Sequence, residues 1–161
     1  SQAGVGTTIS IYLPLTLAIV QALVVEVAGE GFAIPIAAIA EVMRLNPDEV
    51  HQMNDEDVID VRGEVLPLFY LSRMSKVAAE NTQAVKNNYV VIVRDGNYNV
   101  GVVVDRLVGQ EEAVVKPITN AFKYHPAISG ATITGDGGVN MILDVPYLMR
   151  DLAKKRGAVA A

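Results

Sequence analysis

The stretch Val58-Ile59-Asp60-Val61-Arg62-Gly63-Glu64-Val65-Leu66-Pro67-Leu68-Phe69-Tyr70-Leu71 decides the fold class. It is an apolar run, a tight turn at Arg62-Gly63 and a second apolar run, which is the pattern of a β-hairpin. A strand–turn–strand of similar size recurs near the end of the chain. It runs from Ala131-Thr132-Ile133-Thr134 through Gly135-Asp136-Gly137-Gly138 to Met141-Ile142-Leu143-Asp144-Val145. Each of these two is preceded by another hairpin. Leu23 to Ile36 is matched 66 residues on by Tyr89 to Val102, with strand, turn, aromatic and strand in step. Leu68-Phe69-Tyr70-Leu71 is matched by Ile142-Leu143-Asp144-Val145 at a spacing of 74. Two units of about five short strands, with no long helix, predict an all-β chain built as two small barrels, because closing a sheet removes the unpaired edges that invite aggregation.

The segments between these hairpins are read in the same way. Thr7 to Leu13 alternates as a strand that Pro14 stops. Leu15 to Val27 is apolar on both strand faces, the mark of a central strand covered on both sides or of one crossing between sheets; the alternative use of the second face, at Leu23, is contact with another protein. Ala37 to Val42 is a turn of helix or a loop, Val50 to Asp57 a polar loop, and Ser72 to Asn88 a short helix followed by a connector. Pro146 to Arg156 has helical spacing of Tyr147, Leu148 and Leu152, with basic residues in its last turns.

Composition narrows the function. With 51% hydrophobic and 19% charged residues the chain is globular, and a net charge of −5 argues against nucleic acid, whose phosphates require clustered Lys and Arg. The absence of cysteine excludes disulfides and thiolate metal sites. The most apolar run, Leu13 to Val27, is interrupted by Pro14, Gln21 and Glu26 and falls short of the ~20 residues of a membrane span, so a soluble, cytoplasmic chain is expected.

Catalytic chemistry is hard to find. His51 and His125 both read as solvated loop histidines without motif partners. Asp55-Glu56-Asp57 reads as a solvated acidic run, and Asp105, after three valines, as a cap for the next turn. Gly4-Val5-Gly6-Thr7 has the glycines of a phosphate-cradling turn but neither a lysine nor a following helix, which leaves a nucleotide-binding reading weak. Arg62 differs from these. Held before a hairpin glycine, its planar fork suits a carboxylate, and Glu41 is the best candidate partner. A fold-internal ion pair, a solvated hairpin charge and a recognition site all remain open for it.

With these features in view the chain resembles the CheW-like C-terminal regulatory domain of the CheA chemotaxis histidine kinases, homologous to the CheW adaptor. The matching stretches run in order along nearly the whole chain. They are Leu13-Pro14-Leu15-Thr16-Leu17-Ala18-Ile19, Ile39-Ala40-Glu41-Val42, Val61-Arg62-Gly63-Glu64-Val65-Leu66-Pro67-Leu68, Gly101-Val102-Val103-Val104-Asp105, Leu107-Val108-Gly109-Gln110 and Ile128-Ser129-Gly130-Ala131-Thr132-Ile133 with Gly135-Asp136-Gly137.

The resemblance implies two intertwined five-stranded SH3-like barrels with short connecting helices and a C-terminal helix. Residues 1–14 would be the tail of an ATP-binding lobe with its linker, Gly4-Val5-Gly6-Thr7-Thr8 resembling the lobe's last motif. Residues 15–161 would be the regulatory domain, with barrel one at roughly 17–75, barrel two at roughly 88–145 and the helix at 146–156. A binding rather than catalytic role is implied, without cofactor or metal. The implied partners are a CheW-type adaptor, chemoreceptor cytoplasmic tips and the remaining kinase domains, and the domain is expected to be recruited to membrane receptor arrays. Receptor contact is expected in the groove between the barrels. Glu41 and Arg62 would form a buttressing pair near it, with Leu23, Ile59 and Leu68 as apolar interface positions chosen by strand alternation. Ala37-Ala38-Ile39-Ala40 and Asn97-Tyr98-Asn99 depart from the family pattern and bear on partner specificity. A pair of barrels that adds a peptide strand to a free edge is the other reading, disfavoured by three phenylalanines, six tyrosines and no tryptophan.

Overall fold

The computed structural model describes residues 2–9, 19–80, 86–116, 125–135 and 137–159. Among them are eleven strands: β1 (Ile19–Val27), β2 (Glu30–Pro35), β3 (Ile39–Arg44), β4 (Val50–Met53), β5 (Glu56–Val61), β6 (Glu64–Tyr70), β7 (Tyr89–Asp95), β8 (Tyr98–Val104), β9 (Arg106–Val114), β10 (Ile128–Ile133) and β11 (Val139–Leu143). Two α-helices, α1 (Lys76–Glu80) and α2 (Val145–Val159), and short 3-10 turns complete the described chain. No helix among the described residues is long and apolar enough to cross a membrane.

The strands form a five-stranded sheet, β10-β11-β2-β1-β9, and a six-stranded sheet, β3-β7-β8-β6-β5-β4. Each sheet draws on both halves of the chain. The hairpin β1–β2 sits among strands of the second half, and β7–β8 among strands of the first. The repeat is therefore an exchange: β2 lies parallel to β11 with Ala33 opposite Ile142, and β8 lies parallel to β6 with Gly101 opposite Leu68. Leu68 and Ile142 keep the spacing of 74 read from the sequence. The hairpins themselves repeat at 68 rather than 66, since Val27–Glu30 closes the first turn and Asp95–Tyr98 the second. An even difference of two leaves inward and outward positions in phase, which is why the apolar pattern conceals it.

Both sheets curl. Lys116, just beyond β9 at one edge of the five-stranded sheet, exchanges both backbone hydrogen bonds with Ala131 of β10 at the other, at 2.9 and 3.0 Å. The approach needs glycine at position 130, where a Cβ would stand 2.8 Å from the Lys116 carbonyl oxygen. Inside this ring the side chains are small: Ala22, Ala33 and Ala113, with Ile142. The six-stranded sheet wraps a second cluster to which every one of its strands contributes, from Met43 and Leu45 at the β3 end through Val90, Ile92, Val103, Leu66 and Leu68 to Ile59 and Val50. Its sixth strand corrects the reading of 50–57 as a loop. Asn54-Asp55, both with positive φ (52° and 63°), make a tight turn joining β4 to β5, and His51 lies exposed on β4.

The largest core lies between the two sheets. Val25, Val27, Phe32 and Ile34 from one meet Val91, Val93, Val102 and Phe69 from the other, and α2 lays Val145, Leu148 and Met149 against them. Covered on both faces, β1 accounts for the two apolar sides of its sequence. Asp144 caps α2, its Oδ1 accepting from Tyr147 N at 2.8 Å, while Pro146 occupies the first turn, where no N–H is needed. At the other end of the chain, residues 7–9 form no strand and 10–18 lie outside the described residues, so the expected junction near residue 14 falls outside them as well.

Candidate functional site

The β5–β6 hairpin closes in two residues, Val61 pairing with Glu64. Two-residue loops that follow the twist of their strands use type I′ or II′ turns, and positive φ at both Arg62 (56°) and Gly63 (86°) makes this one type I′. Gly63 N–H is fastened to Asp60 Oδ1 at 2.8 Å. Glycine suits this conformation, but arginine does not, because its Cβ crowds the following carbonyl at a cost of about 1–2 kcal/mol. The turn thus holds an arginine where asparagine would be easier, and strain of this kind concentrates where a side chain is used.

Arg62 donates from NH2 to Glu41 Oε1 at 2.8 Å. The two meet because the six-stranded sheet curls, bringing the β5–β6 tip over β3. An irregularity in β3 between Ile39 and Glu41 re-aims the strand at this point. With 79% of the Arg62 side chain and 34% of Glu41 in solvent, the pair contributes only about 0–1 kcal/mol to stability. Its guanidinium retains donors for a partner.

Beside it runs a second exposed polar ladder. Arg94 Nε donates to Asn99 Oδ1 (3.0 Å), and Asn99 Nδ2 donates to Glu64 Oε1 (2.9 Å), linking β7, β8 and β6. Glu64 adjoins the Arg62 turn, and Arg94 lies two residues along β7 from Ile92, the partner of Glu41. Arg94 also borders a groove of about 420 Å³ between the sheets, walled by Pro35, Ala37, Ala38, Leu143, Val145 and Pro146. The alanine-rich connector after β2 forms one wall of this groove through Ala37 and Ala38. Asn99 holds the ladder together, and Tyr98 beside it is 72% exposed. Strand alternation alone does not reveal this ladder, since its members come from three strands. The one available signal was the unusual Asn97-Tyr98-Asn99.

The other expected interface positions fall elsewhere. Ile59 is fully buried and Leu68 is 8% exposed, both inside the six-stranded sheet, so neither presents a side chain to a partner; alternation selected the inner face of the strands instead of the outer. The exposed apolar residue of the same hairpin is Val65. Leu23 is half-buried in the other sheet, packed on the main core. At the N-terminal end the Val5 and Gly6 amides both donate to the Gln2 carbonyl oxygen, so these two N–H groups are engaged within the turn. His125 accepts from Ala127 N through Nδ1, and no cluster of metal-ligating side chains occurs among the described residues.

Residues 21–153 match the family described as CheW-like domain, and the chain belongs to that family. The chain is 39% identical over 160 residues to chemotaxis protein CheA of Treponema pallidum, covering 99% of this chain and 20% of that protein. It is 43% identical over 154 residues to sensor histidine kinase CheAY of Helicobacter pylori (96% and 19%). To chemotaxis protein CheA of Salmonella typhimurium it is 40% identical over 162 residues (100% and 24%). The chain therefore spans about a fifth of the length of the curated relatives it matches. Among solved structures, the scaffolding protein TtCheW of Thermoanaerobacter tengcongensis has the same fold, with a TM-score of 0.57 and 18% identity over 77% of this chain and 88% of that one. Fold and family together define a CheW-like domain of the kind found in CheA proteins.

Proposed function

We propose that this chain is a docking and regulatory module of a chemotaxis histidine kinase. It binds a CheW-type adaptor and chemoreceptor tips, couples receptor state to a kinase core carried elsewhere in the parent protein, and catalyses nothing itself. Its place is the cytoplasm, at membrane receptor arrays. The observation that carries this reading is Arg62, an arginine kept in left-handed backbone, paired across the curl of the sheet with Glu41, and largely in solvent. A device worth less than about 1 kcal/mol to the fold is better accounted for by orientation and discrimination of a partner. The groove bordered by Arg94 supplies apolar area, and the Arg94–Asn99–Glu64 ladder supplies further polar contacts. A coupling role requires contacts that differ between the active and inactive arrangements of the complex, since equal affinity for both shifts nothing.

The test is a titration of isotope-labelled chain with a purified CheW-type adaptor and, separately, with a receptor tip fragment, followed by amide shifts. Shifts localised to Glu41, Arg62, Arg94 and the groove walls are expected with one of the two. Absence of shifts with both at high micromolar concentration would remove the docking reading and leave the fold.

A further inference from the structure

The chain crosses between the two sheets within each repeat: at Ile36–Ala38, from β2 to β3, and at Asp105, from β8 to β9. The hairpin repeat of 68 makes Ala37 the counterpart of Asp105. Chemically the two crossings differ. Ala37 is exposed and has no side-chain hydrogen-bonding group. Asp105 is 8% exposed, and its carboxylate takes three backbone N–H groups from two separate segments. Oδ2 accepts from Ala28, in the β1–β2 turn, at 2.8 Å. Oδ1 accepts from Lys86 and Asn87, where the connector enters β7, at 2.8 and 2.7 Å. The main chain of Asp105 is used as well, its N–H donating to Glu26 O at 3.0 Å and its carbonyl accepting from Asn88 Nδ2 at 3.1 Å. Two of the three donors to the carboxylate, Ala28 (φ 50°) and Asn87 (φ 49°), are themselves in left-handed backbone without being glycine. Such conformations persist only where surrounding contacts over-determine them, and the shared contact here is Asp105.

We propose that Asp105 is a two-armed pin that fixes the angle between the sheets, one carboxylate oxygen holding the five-stranded sheet by its β1–β2 turn and the other holding the connector into the six-stranded sheet. The unpinned crossing lies at the opposite end of β1–β2, where Pro35, Ala37 and Ala38 border the inter-sheet groove. The pin at one end therefore sets the groove at the other. This inference concerns the fold's own geometry and stands whether or not the groove receives a receptor.

An Asp105→Asn variant separates the arms, because an amide keeps one acceptor oxygen and turns an NH2 toward the remaining donors. Hydrogen exchange in the 161-residue chain should then show loss of protection, of at least about tenfold, at one arm (Ala28, or Lys86 with Asn87) while the other arm and the core amides of Val91 and Val102 stay protected. In Asp105→Ala both arms are lost, and residual dipolar couplings of the two sheets, expected to fit one alignment tensor in the natural chain, should require two. Unchanged protection at all three amides in Asp105→Asn would overturn the proposal. So would a uniform loss across both sheets, or a single tensor in a folded Asp105→Ala. If Asp105→Ala does not fold, the asparagine variant alone decides.

Discussion

Gly31 and Asn140 offer the sharpest test of how the five-stranded sheet is assembled. They face each other across the parallel β2–β11 pair. The Asn140 side chain lies over Gly31 so closely that a Cβ added there would stand 1.9 Å from Oδ1 and 2.9 Å from Cγ. Ordinary contact is about 3.4 Å or more, so Gly31→Ala forces the amide to retreat by roughly 1.5 Å. Asn140 is only 7% exposed and has little room to do so. Overpacking of this kind costs about 1–3 kcal/mol, or a fall in Tm of about 2–12 °C at this chain length. The sign does not rest on backbone strain, since Gly31 does not occupy the left-handed region. Asn140→Ala removes the obstructing amide, whose Nδ2 finds no hydrogen-bond partner among the described residues, and most of the penalty of Gly31→Ala should vanish in that background. Urea unfolding of the natural chain, both single variants and the double variant gives the coupling through the linear dependence on denaturant. A coupling of about 1 kcal/mol or more is expected. If Gly31→Ala costs the same with and without Asn140, to within about 0.5 kcal/mol, the packing argument fails.

Three further outcomes follow from the same structure. Arg62→Asn suits the left-handed turn better and loses only an exposed pair, so stability should move by less than about 1 kcal/mol while adaptor or receptor affinity falls; a collapsed melting temperature with unchanged binding would refute the reading of Arg62. Tyr70 donates to Asp57 Oδ2 at 2.8 Å, and burial first, then that carboxylate, push its pKa up to about 12. Because the folded state holds this proton more tightly than the unfolded state, Tyr70's contribution to stability is present below pH 10 and is lost between about 10 and 12. Absorbance titration should show a late-ionising step for Tyr70 that moves earlier in Asp57→Asn. Leu148→Ala empties a fully buried position where α2 meets the main core and should cost about 2–5 kcal/mol in denaturant unfolding; a cost under about 1 kcal/mol would mean that α2 is not part of the cooperative core.

Much of this protein was legible in its sequence because the relevant signals are local. The two-residue turn at Arg62-Gly63, the alternation of the strands, the doubly apolar β1 and the helical spacing after Pro146 depend on neighbours within a few positions, where φ preference and side-chain period act. The Arg62–Glu41 pair lies 21 residues apart in sequence and is read from the charged fork at the turn together with the family resemblance, not from a local signal. The local signals missed β4, whose Asn54-Asp55 turn is a recognisable left-handed pair, because the polar residues around it carry no apolar alternation.

What the sequence could not decide is which face of a strand looks inward once a sheet closes, and which strands share a sheet. Ile59 and Leu68 alternate as an interface would, yet the curl of the six-stranded sheet turns them into its interior. The exchange of hairpins between sheets, the groove beside Ala37 and the three amides gathered on Asp105 join residues from distant parts of the chain. Periodicity is blind to such distances. They are fixed only when the whole chain buries its apolar surface at once and its buried carboxylates and backbone amides take partners from wherever the fold brings them.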